Sequence, residues 1–165
     1  MSARTLRVLG ARLMALSCLV ALVNGAPALR AAPKATNGVV RAASAYPMEE
    51  TVRRLKADIA AKGIRFFTEI DQRLLAADAG IALHPSTLLI FGNPALGAQF
   101  MTSNPESGID WPVRLLVFQD ADGRVWVVYD DFPWIAQRHR ITDREQQFGI
   151  ASMVIASITS SVGGR

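Results

Sequence analysis

Two apolar runs, Val113 to Phe118 (VRLLVF) and Val125 to Tyr129 (VWVVY), are joined by six polar residues, QDADGR. This is the feature that most constrains the fold. Asp122-Gly123 between β-branched and aromatic runs is the strongest local signal for a tight reversal of two strands. A hairpin pairs its strands antiparallel, so an all-parallel sheet is excluded from the outset. The hairpin also fixes the class: with helical patterns on both sides of it, the chain reads as α+β.

Upstream of the hairpin lies Pro85 to Pro112, PSTLLIFGNPALGAQFMTSNPESGIDWP. Thr87 to Phe91 (TLLIF) is a continuous apolar run, consistent with a strand buried on both faces. Gly92-Asn93-Pro94 ends it. Ala95 to Thr102 then suits a short helix with Pro94 in its first turn, Asn93 as cap and a positive φ at Gly92. Asn104-Pro105 through Trp111-Pro112, with two prolines and a glycine, reads as a loop.

The clearest helix lies nearer the N-terminus. Met48, Val52, Leu55 and Ile59 form one apolar stripe, Pro47 and the acidic pair Glu49 and Glu50 suit the first turn, and Gly63 can close it. Gly38 to Ala45 suits a first strand and Ile64 to Ile70 a second, followed by a short helical segment capped by Asp71 and ended by Gly80. After the hairpin, Trp134 to Arg138 suits one helical turn. Thr142-Asp143-Arg144-Glu145 has the form of a capping box, with Phe148, Ala151, Ile155, Ile158 and Val162 at helical spacing behind it. The expected architecture is a two-layer sandwich: a mixed or antiparallel sheet of about five strands packed against two main helices.

The remaining N-terminal sequence is of another kind. Arg4, Arg7 and Arg12 precede an apolar run from Leu13 to Val23, and Ala26-Pro27-Ala28 places small residues where a signal peptidase reads. The expected organisation is a Sec-type signal peptide over 1–28 cleaved after Ala28, a flexible linker over 29–37 and one α+β domain over 38–162. The alternative is an uncleaved anchor, the membrane then being met only through that segment. Periplasmic or secreted placement follows. The sole cysteine, Cys18, leaves with the signal, so the mature chain carries no disulfide or thiolate chemistry.

Setting aside both termini also reverses the charge. Of 18 Lys and Arg against 14 Asp and Glu, seven basic residues lie in the N-terminal 41 residues or at Arg165, which leaves 11 against 14, a net of −3 over 46–164. Such a surface does not suit a nucleic-acid partner.

Several residues recur in an order that identifies a family. Glu50-Thr51-Val52, Ile70-Asp71, the run Pro85 to Pro94 with its IFGNP, Gly108-Ile109-Asp110-Trp111-Pro112, Asp122-Gly123 and Arg138-His139 together resemble the domain of unknown function 302 family, over Tyr46 to Val162. The resemblance implies a small α+β domain, often a homodimer, in bacterial and archaeal proteins without a settled activity. Members commonly carry a histidine directly after the aspartate of the second strand. Here that position is Gln72, so a role for that histidine would not transfer.

Candidate chemistry is sparse. Gly92 and Asn93 precede a helix and suggest an anion site, against a purely structural turn. His139 between Arg138 and Arg140 suggests a carboxylate or phosphate site or an acid/base, against an exposed basic turn paired with Asp130, Asp131 or Asp143. Asp110 suits a turn. Trp111 and Trp134, beside prolines, are the tryptophans expected at the surface. The ligand-binding candidates are therefore Gly92, Asn93, Asp110, Trp111, Arg138 and His139, with no catalytic set, metal site or cofactor indicated. These patterns favour a non-catalytic domain binding a small molecule or an envelope protein. The alternative is an envelope enzyme, which requires the FGNP turn, Asp110 and His139 to meet in one cleft.

Overall fold

A computed structural model describes residues 37–164. The expected signal over 1–28 and nearly all of the linker lie outside the described residues. Five strands, β1 (Val39–Ala43), β2 (Arg65–Asp71), β3 (Ser86–Gly92), β4 (Val113–Gln119) and β5 (Val125–Asp130), form one sheet in the order β1-β5-β4-β3-β2. Every neighbouring pair is antiparallel. The sheet is thus an up-and-down run from β2 to β5, with β1 returning beside β5.

This order places β1 and β2 on opposite edges, so the chain between them must cross the whole sheet. Helix α1 (Met48–Ala61) has 14 residues, roughly 21 Å at 1.5 Å per residue. Four inter-strand spacings amount to about 19 Å. The helix is as long as the crossing requires. Thr51, Leu55 and Ile59 are its buried residues, and Met48 and Val52 of the expected stripe pack half-buried beside them. Gly63 has φ +65°, the left-handed conformation that glycine adopts without strain, and its N–H returns to Ala60 O at 2.9 Å.

The other helices are α2 (Gln72–Asp78), α3 (Pro94–Ser103), α4 (Phe132–Arg138) and α5 (Glu145–Ser160). Asp71 caps α2 as expected, accepting from Leu74 N at 3.0 Å. Residues of α1, α3, α4 and α5 meet Leu89, Phe91, Leu115, Val117, Val125 and Val127 in one core. Helices on one face of a single sheet make the expected two-layer α+β fold.

Four local expectations are corrected. The 104–112 segment contains a 3-10 helix, Pro105–Asp110, whose first turn is capped by Asn104 Oδ1 accepting from Glu106 N at 2.9 Å. The capping box does not form: α5 has no side-chain cap. The Asp143 carboxylate is instead taken by Arg144 and Ser103, which tie this corner to α3. Gly92 is not among the glycines with positive φ, because β3 continues through it in register with Arg65. And β3 is covered on one face only: Leu89 and Phe91 are buried, whereas Leu88 and Ile90 are half-buried.

Leu88 and Ile90 belong to a wider open face. Ile70, Leu88, Leu116 and Val128 stand in register across four strands. Phe118 faces Trp126 one row away. None of these side chains is in the core or packed against it among the described residues. Arg41 lies over the Trp126 ring at 3.7 Å, and the Trp126 indole N–H donates to Asp120 at 2.7 Å, holding that carboxyl below the usual carboxylate range.

Candidate functional site

The six candidate residues divide into two groups. Asp110, at the end of the 3-10 helix, is buried, its side chain only 1% exposed. It accepts from Arg138 Nη1 at 3.1 Å, from Arg114 Nη2 at 3.2 Å and from His139 Nε2 at 2.5 Å. His139 closes α4 and its side chain is 6% exposed. Its carbonyl accepts from Asn104 Nδ2 at 3.0 Å, so the two segments are joined by backbone as well as by charge. Arg114 reaches on to Asp130 at 3.4 Å.

This geometry corrects two readings. Asp110 is not a simple turn residue, and His139 is neither on an exposed turn nor paired with Asp130, Asp131 or Asp143. A carboxylate taken out of water needs partners of opposite charge and filled lone pairs, and Asp110 has both. The cluster fastens the 3-10 helix, β4 and α4 to one another. Among the described residues no hydroxyl is hydrogen-bonded to His139, and the nearby Ser107 hydroxyl is buried without any partner. A carboxylate–imidazole pair of this kind orients a ring, but here it faces inward.

The second group lies around Trp111. Its ring is stacked between Phe100, centroid distance 4.8 Å at 7° between planes, and Phe132, 5.7 Å at 16°. Phe100 in turn meets Phe148 at 4.1 Å. Trp111 is therefore half-buried, contrary to the expectation of exposure. Trp134 is half-buried as well: a Cβ on Gly38 would fall 2.2 Å from its ring, which only glycine at that site avoids.

On the side of Trp111 that carries Gly92 and Asn93 there is room. A cavity of about 380 Å³ is walled by Ile64, Leu96, Trp111, Val113, Ile150 and Val154, with Asn93, Ser157 and Lys62 as its polar members. A smaller one of about 210 Å³ shares Gly92, Asn93 and Trp111 and adds Gly97, Met101 and Phe67. Phe67 occupies the irregular step in the β2–β3 register and points out of the sheet's regular alternation.

The anion reading of the FGNP turn fails on its own geometry. Asn93 Oδ1 accepts from Ala95 N at 3.0 Å and Leu96 N at 3.2 Å, so the free N–H groups an anion would need are already used. Nor does Gly97 mark an open cradle: a Cβ there would touch the Trp111 ring at 3.5 Å. Asp110 and His139 meet, but neither lines the cavities beside Gly92 and Asn93. Among the described residues, no cluster of three or more His, Cys, Asp or Glu could hold a metal ion.

Sequence reasoning missed Arg114 and Lys62. Arg114 sits in an otherwise apolar strand, and that interruption was the available signal. Lys62 gave none, because its position follows from the end of α1 meeting α5. Gln72 accepts from the Ser86 hydroxyl at 2.7 Å and joins α2 to β3.

Comparison with known proteins agrees with the fold and the motifs. Residues 40–158 match the family described as Domain of unknown function DUF302. The chain belongs to that family. The crystal structure of an uncharacterized conserved DUF302 protein from Bacillus stearothermophilus superposes with a TM-score of 0.69 at 16% identity, covering 76% of this chain and 98% of that one. Among curated proteins, the fluoride-specific ion channel FluC 1 of Brucella suis biovar 1 is 37% identical over 105 residues, 64% of this chain and 41% of that protein. The FluC 2 channel of Brucella melitensis biotype 1 is 37% identical over the same length, 39% of it. The DUF302 chain described here therefore spans about two-fifths of the length of these curated relatives.

Proposed function

We propose that this DUF302 chain is an exported, non-catalytic domain that binds a small, largely apolar molecule. The cavity of about 380 Å³ beside Trp111 carries the reading. It falls in the size range of small-molecule sites and has their character, mostly apolar with a few polar groups. Three of the predicted residues, Gly92, Asn93 and Trp111, lie on its wall, and the stack of Phe100, Trp111 and Phe132 preforms that wall. The chemically capable residues, Asp110 and His139, are buried and bonded to one another, Asp110 also to two arginines, and neither lines the cavity, which favours binding over catalysis. The relatives named as fluoride-specific ion channels are much longer proteins, and conduction is not proposed for the part they share with this chain.

Ligand-observed NMR with a mixture of small apolar and aromatic compounds tests the reading. Binders that lose contact in Val154→Trp and in Ile150→Trp, both of which fill the cavity, are expected. Binders unaffected by either substitution, or none at all, would remove the cavity from consideration.

The open sheet face favours a second role, association with another copy of the chain. Water contact with the apolar row Ile70, Leu88, Leu116 and Val128 costs about 25 cal/mol per Å², and a second sheet laid on it would cover that row at about 10 Å. Sedimentation equilibrium should report a dimer that Leu116→Glu converts to a monomer. A monomer at tens of micromolar in the unsubstituted chain would refute this role.

A further inference from the structure

We infer that the ligand of this cavity is an amphiphilic anion, a carboxylate with a compact apolar body, and that Lys62 receives its head. The inference rests on the cavity reading above and adds the chemical class. Among the described residues, Lys62 is the only charged one lining the cavity, and no carboxylate lines it. The site therefore has a cation to offer and nothing that would hold a cationic ligand.

Trp111, another lining residue, has its indole N–H buried without a partner, and the other polar groups are neutral or engaged. Asn93 Oδ1 is fully engaged as the α3 cap. Ser157 presents a neutral hydroxyl. The Lys62 ammonium is bonded to Asp58 Oδ2 at 2.5 Å across one turn of α1, but an ammonium has three donors. Two remain for a ligand carboxylate. Asp58 holds the ammonium in place and also competes for it, so the two residues should affect affinity in opposite directions. The Lys62 side chain is 29% exposed, so its stem can lie along apolar lining while its head stays hydrated.

The consequences differ for the head and the body of the ligand. Each methylene added to the body should tighten binding about fourfold until the cavity is full. The head should add about five- to tenfold over a neutral hydroxyl, a modest gain because Lys62 is partly exposed and already paired.

Isothermal titration of the full chain with hexanoate, octanoate and decanoate, beside the matching primary alcohols, tests this. The acids should bind more tightly than the alcohols. Lys62→Met should abolish that difference without weakening the alcohols, and Asp58→Asn should widen it. Alcohols that bind as tightly as acids, or an acid affinity unchanged in Lys62→Met, would overturn the anionic class while leaving an apolar cavity ligand in place. Failure of both series to bind would overturn the cavity reading itself.

Discussion

The two sides of Trp111 present opposite solutions. Toward Asp110 there are four charged or titratable groups, Asp110, Arg114, Arg138 and His139, and no space between them. Toward Asn93 there is space, and a single charge at its edge. A catalytic site needs reactive groups and room for a substrate in one place. In this chain the two are apart: none of these four groups lines the cavity that Trp111 helps to wall. The difference teaches that a histidine, an aspartate and two arginines in contact are weak evidence of chemistry when the carboxylate at their centre is buried and bonded to all three of the others. Here they act as a clasp that ties the 3-10 helix to β4 and α4.

The comparison can be broken most forcefully at Asp110. Asp110→Ala leaves two arginines and a buried histidine facing an uncompensated gap, and unfolding free energy should fall by about 3–5 kcal/mol. Urea denaturation measures it. A loss below about 1 kcal/mol would mean the cluster is not a clasp, and its residues would then be free for another role.

Trp111→Ala attacks the cavity wall. Loss of a stacked, half-buried indole should cost about 3 kcal/mol, and it should also abolish cavity binding. Asp110→Ala, by contrast, should leave the affinity of the folded fraction within about twofold. If both substitutions reduce affinity equally, the two sides are one functional unit and the contrast drawn between them is wrong.

A smaller effect distinguishes cap from anion site at the FGNP turn. Asn93→Ala should cost about 1 kcal/mol through the lost cap on α3. Phosphate or sulfate at millimolar concentration should not stabilise the unsubstituted chain by thermal shift. Stabilisation by either anion that vanishes in Asn93→Ala would restore the anion reading.

How much of this was legible in the sequence follows from the range of the forces involved. The hairpin, α1 and the buried face of α5 are written in local periodicity, and they stand where the pattern puts them. Asp110 could not be read in this way. Its partners Arg138 and His139 lie 28 and 29 residues away, and in isolation an aspartate before Trp-Pro has only the look of a turn. The TLLIF run looked covered on both faces because composition reports how apolar a strand is and not what is laid over it. The absent cap on α5 has the same origin: the helix starts only at Glu145 with Arg144 at its cap position, and Arg144 bonds across to Gln99 O of α3, which a local motif does not anticipate.

The most direct test of the central claim is a chemical-shift map of the uniformly labelled chain titrated with octanoate. The expected result is perturbation confined to Leu96, Val113, Ile150, Val154 and the Trp111 indole, with His139 and Arg138 unmoved. Perturbation centred on His139 and Arg138, with the cavity residues silent, would contradict it and place the binding site on the other side of the ring.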